Sequence, residues 1–178
     1  MKKVLILSGS PRKGGNSDIL CDEFMRGAKE SGNEVEKIRV AEKEIGYCRG
    51  CYACQKTGIC AVKDDMAKIL QKMIDADVLV LASPVYFYSI DAQLKALIDR
   101  FHSPERNNIG VKGLALLLVG ADTIPKLFDS IISQYRLTLE YFKLEDYGMV
   151  LVGGVEEKAA IKGSERLNEA YSLGLSLE

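Results

Sequence analysis

Apolar residues in this chain come in short unbroken runs, separated by stretches with helical spacing. Val4-Leu5-Ile6-Leu7 is continuous and stops at Ser8-Gly9-Ser10-Pro11. A run that does not alternate suits a strand buried on both faces. Residues 78–82 and 114–119 have the same character, the first closed by Ser83-Pro84 and the second by Gly120-Ala121-Asp122. Residues 34–40 alternate imperfectly and residues 147–152 close the series, and both are read as strands. Between the strands the period becomes helical. Leu20, Phe24 and Ala28 fall on one face of a helix predicted over 17–31, with Asn16 or Ser17 as N-cap and Gly32 as the stop. Further helices are predicted over 64–76, 91–101 and roughly 124–141.

Strands alternating with helices predict an α/β fold: a parallel sheet with helices on both faces, three layers in all. Right-handed crossovers leave few arrangements. Five strands fit the doubly wound order 2-1-3-4-5, in which ligands sit beyond the carboxyl ends of the strands. No repeat or linker interrupts the pattern, so residues 1–178 are read as one domain, with a cysteine-rich loop at 46–63 and a polar, helix-forming tail from about 156. The net charge of −1 argues against nucleic acid, which calls for clustered Lys and Arg. The first apolar run is too short for a signal-peptide core or a membrane span, and the cytoplasm is the expected location.

Three loops then share one edge: "SGSPRKGGNSD", "SPVYFYSID" and "GADTI". In the first, Ser8, Ser10, Arg12, Asn16 and Ser17 surround the start of a helix, a setting suited to an anion. The glycine spacing matches neither a Walker loop nor a dinucleotide fingerprint. In the second, Tyr86, Phe87 and Tyr88 follow Pro84, and three adjacent aromatics on a rim suit a planar ligand. A phosphate at one end and a flat ring at the other describe FMN.

Four of the five cysteines stand at Cys48, Cys51, Cys54 and Cys60. Closely spaced thiolates of this kind resemble the start of a ferredoxin run, and four make the full ligand set of a [4Fe–4S] cluster. Zinc, or a loop that binds nothing, is the alternative, and a lasting disulfide is disfavoured in the cytosol. Cys21 reads as helix packing, Asp64, Asp65 and Asp91 as first-turn helix acids, and Arg100, Arg106 and His102 as solvated helix ends. With a single His, no Ser-His-Asp or Cys-His arrangement is nominated, and no catalytic side chain is assigned.

The stretches "SGSPRKGGNS", "ASPVYFYSIDAQLKALIDR" and "VGAD" resemble the flavodoxin-like, NADPH-dependent FMN reductase superfamily. "CRGCYACQKTGICAVKDDM" resembles its iron-sulfur flavoprotein branch. The likeness covers residues 1 to about 125. It implies an FMN-dependent oxidoreductase with the phosphate held by Ser8, Ser10, Arg12, Asn16 and Ser17. Pro84, Val85, Tyr86, Phe87 and Ser89 would flank the flavin ring, with Gly120 and Ala121 closing its other side. It further implies NAD(P)H as co-substrate, a quinone or ferredoxin-like electron partner, and a homodimer or homotetramer. A cluster-free FMN or quinone reductase, or a non-catalytic flavin-binding switch, is the competing expectation.

Overall fold

The structure, a computed structural model, describes residues 1–102 and 109–177. Strands β1 (Lys3–Ser8), β2 (Glu34–Arg39), β3 (Val78–Tyr86), β5 (Gly113–Val119) and β6 (Glu145–Val152) form a parallel sheet in the order β2-β1-β3-β5-β6. This is the expected doubly wound order with one addition. The two-residue strand β4 (Ser89–Ile90) folds back antiparallel on the end of β3.

Alternation along the buried strands sends side chains to two cores. Val4, Ile6, Val78, Val80, Leu117 and Val119 face α1 (Asn16–Glu30) and α6 (Arg166–Leu175). Leu5, Leu7, Leu79, Leu81, Leu114 and Leu116 face α3 (Met66–Asp75), α4 (Ala92–Ile98) and α5 (Asp129–Phe142). A five-residue helix, α2 (Ala53–Thr57), lies within the cysteine loop.

Several boundaries differ from expectation. The third strand does not end at Ser83-Pro84. It runs on to Tyr86, because β5 pairs with it as far as Pro84 and β4 with Val85 and Tyr86, while β1 pairs only as far as Ala82. Pro84 has the same orientation as Ala82, so its missing N–H points past the end of β1 and no ladder bond is lost. The helix expected over 124–141 begins only at Asp129. Upstream, the Asp122 carboxylate accepts the N–H groups of Thr123 and Ile124, holding a turn around Pro125. The helix expected over 91–101 tightens into a 3₁₀ turn at Asp99–His102.

The N-cap of α1 is Gly15 rather than Asn16 or Ser17. Asn16 instead bonds the C-terminal segment: its amide donates to the carbonyls of Val155 (3.1 Å) and Glu157 (2.9 Å) and accepts from Ile161 N–H (3.1 Å). That segment is not merely polar. Ile161, Ala170 and Leu177 are buried in the α1 core, and Asn33 donates to the Leu177 carbonyl at 2.6 Å. Helices α1 and α6 meet through glycines. A Cβ on Gly174 would lie 2.1 Å from the Phe24 carbonyl oxygen, and one on Gly27 would lie 2.0 Å from that of Tyr171.

Gly174→Val is therefore expected to lower the urea midpoint, by roughly 1–3 kcal/mol in stability; an unchanged midpoint would contradict the backbone contact. The second expectation concerns Asp18, which holds Lys37 and Arg39 of β2 to α1. Burial would raise its pKa, but the Lys37 ammonium, the Gly14 N–H and Arg39 outweigh burial and hold it below its ordinary value of 3.8. A depressed carboxylate stabilises the fold above the unfolded-state pKa, and the stabilisation is lost as pH falls through the folded value. Urea midpoints measured at descending pH should fall below about pH 4 in the native chain and fall less in Asp18→Asn.

Candidate functional site

The carboxyl ends of β1, β3 and β5 meet at one edge of the sheet. Gly9 N–H donates to the Ala82 carbonyl at 2.9 Å, joining the first loop to β3. A Cβ on Gly9 would sit 2.0 Å from Asp91 Oδ2, so only glycine allows the approach. Asp91 is wholly buried as the N-cap of α4, accepting Leu94 N–H at 3.0 Å and the Ser83 hydroxyl at 2.7 Å. Burial pushes its carboxyl above the ordinary range despite these bonds. On the other flank, a Cβ on Gly120 would be 2.6 Å from Leu127 and 3.6 Å from Val85.

The first loop folds on itself. Arg12 N–H donates to Ser10 Oγ, Gly15 N–H to the Arg12 carbonyl, and Gly14 N–H to Asp18 Oδ2. The first bond into α1 is Ile19 N–H to the Gly15 carbonyl, which leaves the amides of Asn16, Ser17 and Asp18 without carbonyl partners among the described residues at the positive helix end. An acid at this position would repel an anion, yet Asp18 is neutralised by Lys37 and Arg39, which stand on the α1 side of β2. Arg12 is exposed at the mouth and donates to the Glu156 carbonyl.

Of the expected phosphate residues, Ser10, Arg12 and the backbone of Asn16 and Ser17 come together. The Asn16 side chain is engaged with the C-terminal segment. Ser8 is wholly buried at the end of β1, its hydroxyl without a hydrogen-bond partner among the described residues.

The aromatic residues form the tip of the β3–β4 hairpin. Val85 pairs with Ile90 and Tyr86 with Ser89, leaving Phe87 and Tyr88 as a two-residue turn. Both have positive φ (51° and 63°), the conformation of a type I′ hairpin, where Asn and Gly are usual. Holding two aromatics there costs of order 1–3 kcal/mol each. Phe87 is 97% exposed, Tyr86 45% and Tyr88 52%. The three aromatics therefore stand exposed at the carboxyl end of β3, the strand the first loop crosses. Ala121 is also exposed there.

The cysteine loop curls through left-handed residues Gly50, Tyr52 and Gly58. Gly58 N–H closes α2 on the Cys54 carbonyl at 2.9 Å. Cys48 and Cys51 are exposed, Cys54 and Cys60 half-buried, and all four line one cavity of about 90 Å³. That is room for a polyatomic group, since one water takes roughly 10–15 Å³ of such space. Among the described residues, no three His, Cys, Asp or Glu side chains converge on a point that would hold a single metal ion. The thiols ring a volume instead. Cys21 takes no part in this cavity: it is wholly buried on the inward face of α1, and burial pushes its thiol up to about 12.

Arg100 is not a solvated helix end. It is 4% exposed and lines the cysteine cavity. Its Nη1 donates to Asp64 and to the Gly46 carbonyl, and its Nη2 to the Val62 carbonyl at 3.2 Å. Asp64 also accepts Gly46 N–H at 2.7 Å and Met66 N–H at 3.1 Å, so it is more than a first-turn acid. The signal was in the periodicity: Arg100 follows Leu94 and Leu97 at steps of three on the inward face. Arg106 lies outside the described residues. No helix among the described residues is long and apolar enough to cross a membrane.

A profile of the NADPH-dependent FMN reductase family matches residues 2–153. Over 98 residues the chain is 47% identical to an iron-sulfur flavoprotein of Methanocaldococcus jannaschii, covering 55% of this chain and 51% of that protein. Over 122 residues it is 38% identical to an iron-sulfur flavoprotein of Methanosarcina thermophila, covering 67% of this chain and 64% of the relative. The chain thus spans about half to two thirds of the length of these relatives. An NAD(P)H:quinone oxidoreductase from Methanothermobacter marburgensis has the same fold, with a TM-score of 0.76 at 18% identity over 99% of this chain and 96% of that one. The profile match runs from β1 to the end of β6 and takes in every strand end that builds the site, and the chain belongs to the NADPH-dependent FMN reductase family, beside its iron-sulfur flavoproteins.

Proposed function

We propose that this chain is an FMN-dependent oxidoreductase whose cysteine loop holds a [4Fe–4S] cluster and passes electrons between it and the flavin. The observation that carries the FMN reading is the convergence of an unpartnered helix start, Ser10 and Arg12 with an exposed aromatic hairpin, across the Gly9–Asp91 junction. When bound, FMN would supply hydride and single-electron chemistry, and a cluster one-electron transfer. The chain's part is to hold and to screen. The amides of Asn16, Ser17 and Asp18, with Ser10 and Arg12, would bind the phosphate. The hairpin at Pro84, Val85, Tyr86, Phe87 and Ser89 offers one wall for a planar ring, and Gly120 with Ala121 the other. Asp91 and Ser83 keep those walls in register. No side chain is needed to move a proton, which is why the single His is no obstacle.

Support for the cluster comes from the donor set: four thiols around one polyatomic-sized cavity, with iron-sulfur flavoproteins as relatives. Two of the thiols are exposed, which favours the cluster-free FMN or quinone reductase as the second reading. NAD(P)H as electron donor, and a quinone or ferredoxin-like acceptor, belong to either reading.

Two measurements test this. Arg12→Ala should weaken FMN binding about tenfold, roughly 1.4 kcal/mol, while leaving riboflavin binding unchanged, because only FMN carries the phosphate. Equal losses for both ligands would place the phosphate elsewhere. Protein purified without oxygen should carry about four iron and four acid-labile sulfide per chain, and Cys60→Ser should lose most of both while keeping FMN. Flavin without iron in the native protein would establish the cluster-free reading.

A further inference from the structure

We propose that Arg100 is the positioning residue of the cysteine site: it latches both ends of the loop and supplies the buried positive charge beside whatever the four thiols hold. This rests on the cluster reading above.

Three observations carry it. The guanidinium spans the loop, bonding Gly46 on the entering segment and Val62 and Asp64 on the leaving one. It lines the same cavity as all four cysteines, and Cys60 lies against it. Its Nε is buried and has no hydrogen-bond partner among the described residues, although both Nη atoms are satisfied on the loop backbone and Asp64. A buried donor without an acceptor is costly and is rarely retained without a use. Sulfur at the cavity wall supplies the missing acceptor once the thiols carry a bound group, and hydrogen bonds to sulfur are among the levers that set cluster potentials.

The charge arrangement points the same way. Asp64, next to the cavity, is held by Arg100 and two backbone N–H groups, and the acid that lines the cavity, Asp99, is paired with Lys95. Cations therefore offset both carboxylates. Adding one electron to a group held by four thiolates increases its negative charge, and losing the guanidinium would leave the Asp64 carboxylate uncompensated beside it and disfavour that reduced state. No bond forms or breaks in this step. The electron comes from dithionite in the test below, or from reduced flavin in the working protein.

The test compares the native chain with Arg100→Lys and Arg100→Gln, all purified and reconstituted without oxygen. Iron, sulfide and FMN are counted, and the midpoint potential of the iron chromophore is measured by dithionite titration with mediators. Arg100→Lys should keep its iron and a potential near that of the native protein. Arg100→Gln should keep its FMN, and either lose its iron or show a potential lower by at least 59 mV, a tenfold change in the one-electron equilibrium. A native potential in Arg100→Gln would overturn the proposal. So would loss of iron from both variants, which would make Arg100 a structural latch whose charge is immaterial. A native protein with FMN and no iron would instead remove the cluster reading itself, and this role with it.

Discussion

The carboxylate of Asp91 sits where the first loop crosses the third strand, and the arrangement of the whole edge depends on that contact. Its oxygens cap α4, take the Ser83 hydroxyl, and fill the space a side chain at position 9 would need. A buried carboxylate is costly unless hydrogen-bonded, so the contact admits little freedom. Fixing it aligns the end of β3, the turn after β1 and the start of α4 in one step. The aromatic hairpin projects from this junction and the anion-binding loop folds beside it.

The cysteine loop is governed by a second buried polar contact of the same kind. Arg100 and Asp64 are both nearly inaccessible, 3% and 8% exposed as side chains, and removing either would strand the other's charge. Such a pair adds little net stability over apolar packing, but it specifies one arrangement of the segments it joins. Here those segments are the two ends of a loop that has almost no apolar anchor of its own: Tyr47, Tyr52 and Ile59 are all exposed. A hydrophobic core cannot position such a loop, and a directional ion pair can.

The C-terminal segment extends the same logic to the anion loop. Asn16 bonds Val155, Glu157 and Ile161 with both ends of its amide, so the loop that would take a phosphate is braced from behind by a part of the chain more than 130 residues away in sequence. The brace holds because α6 packs backbone to backbone on α1 through Gly27 and Gly174. Loop geometry at the mouth thus depends on how α6 packs along the helix that the loop opens.

The sheet was legible in the sequence because burial on both faces writes itself as unbroken apolar runs, as in Val4 to Leu7 and Leu114 to Val119, and the doubly wound order follows from handedness. The thiol spacing and the loops rich in Gly, Ser and aromatics were likewise local signals. What sequence alone misassigned were polar residues whose partners lie far along the chain. Asn16 looked like a cap and became a brace; Arg100 looked like a solvated helix end and Asp64 like a first-turn helix acid, and they became a buried pair; Pro84 looked like a strand stop and lies within β3. An apolar side chain needs only to leave water, so its period reveals its place. A polar one needs a particular partner in a particular direction, and only the folded chain decides which partner that is.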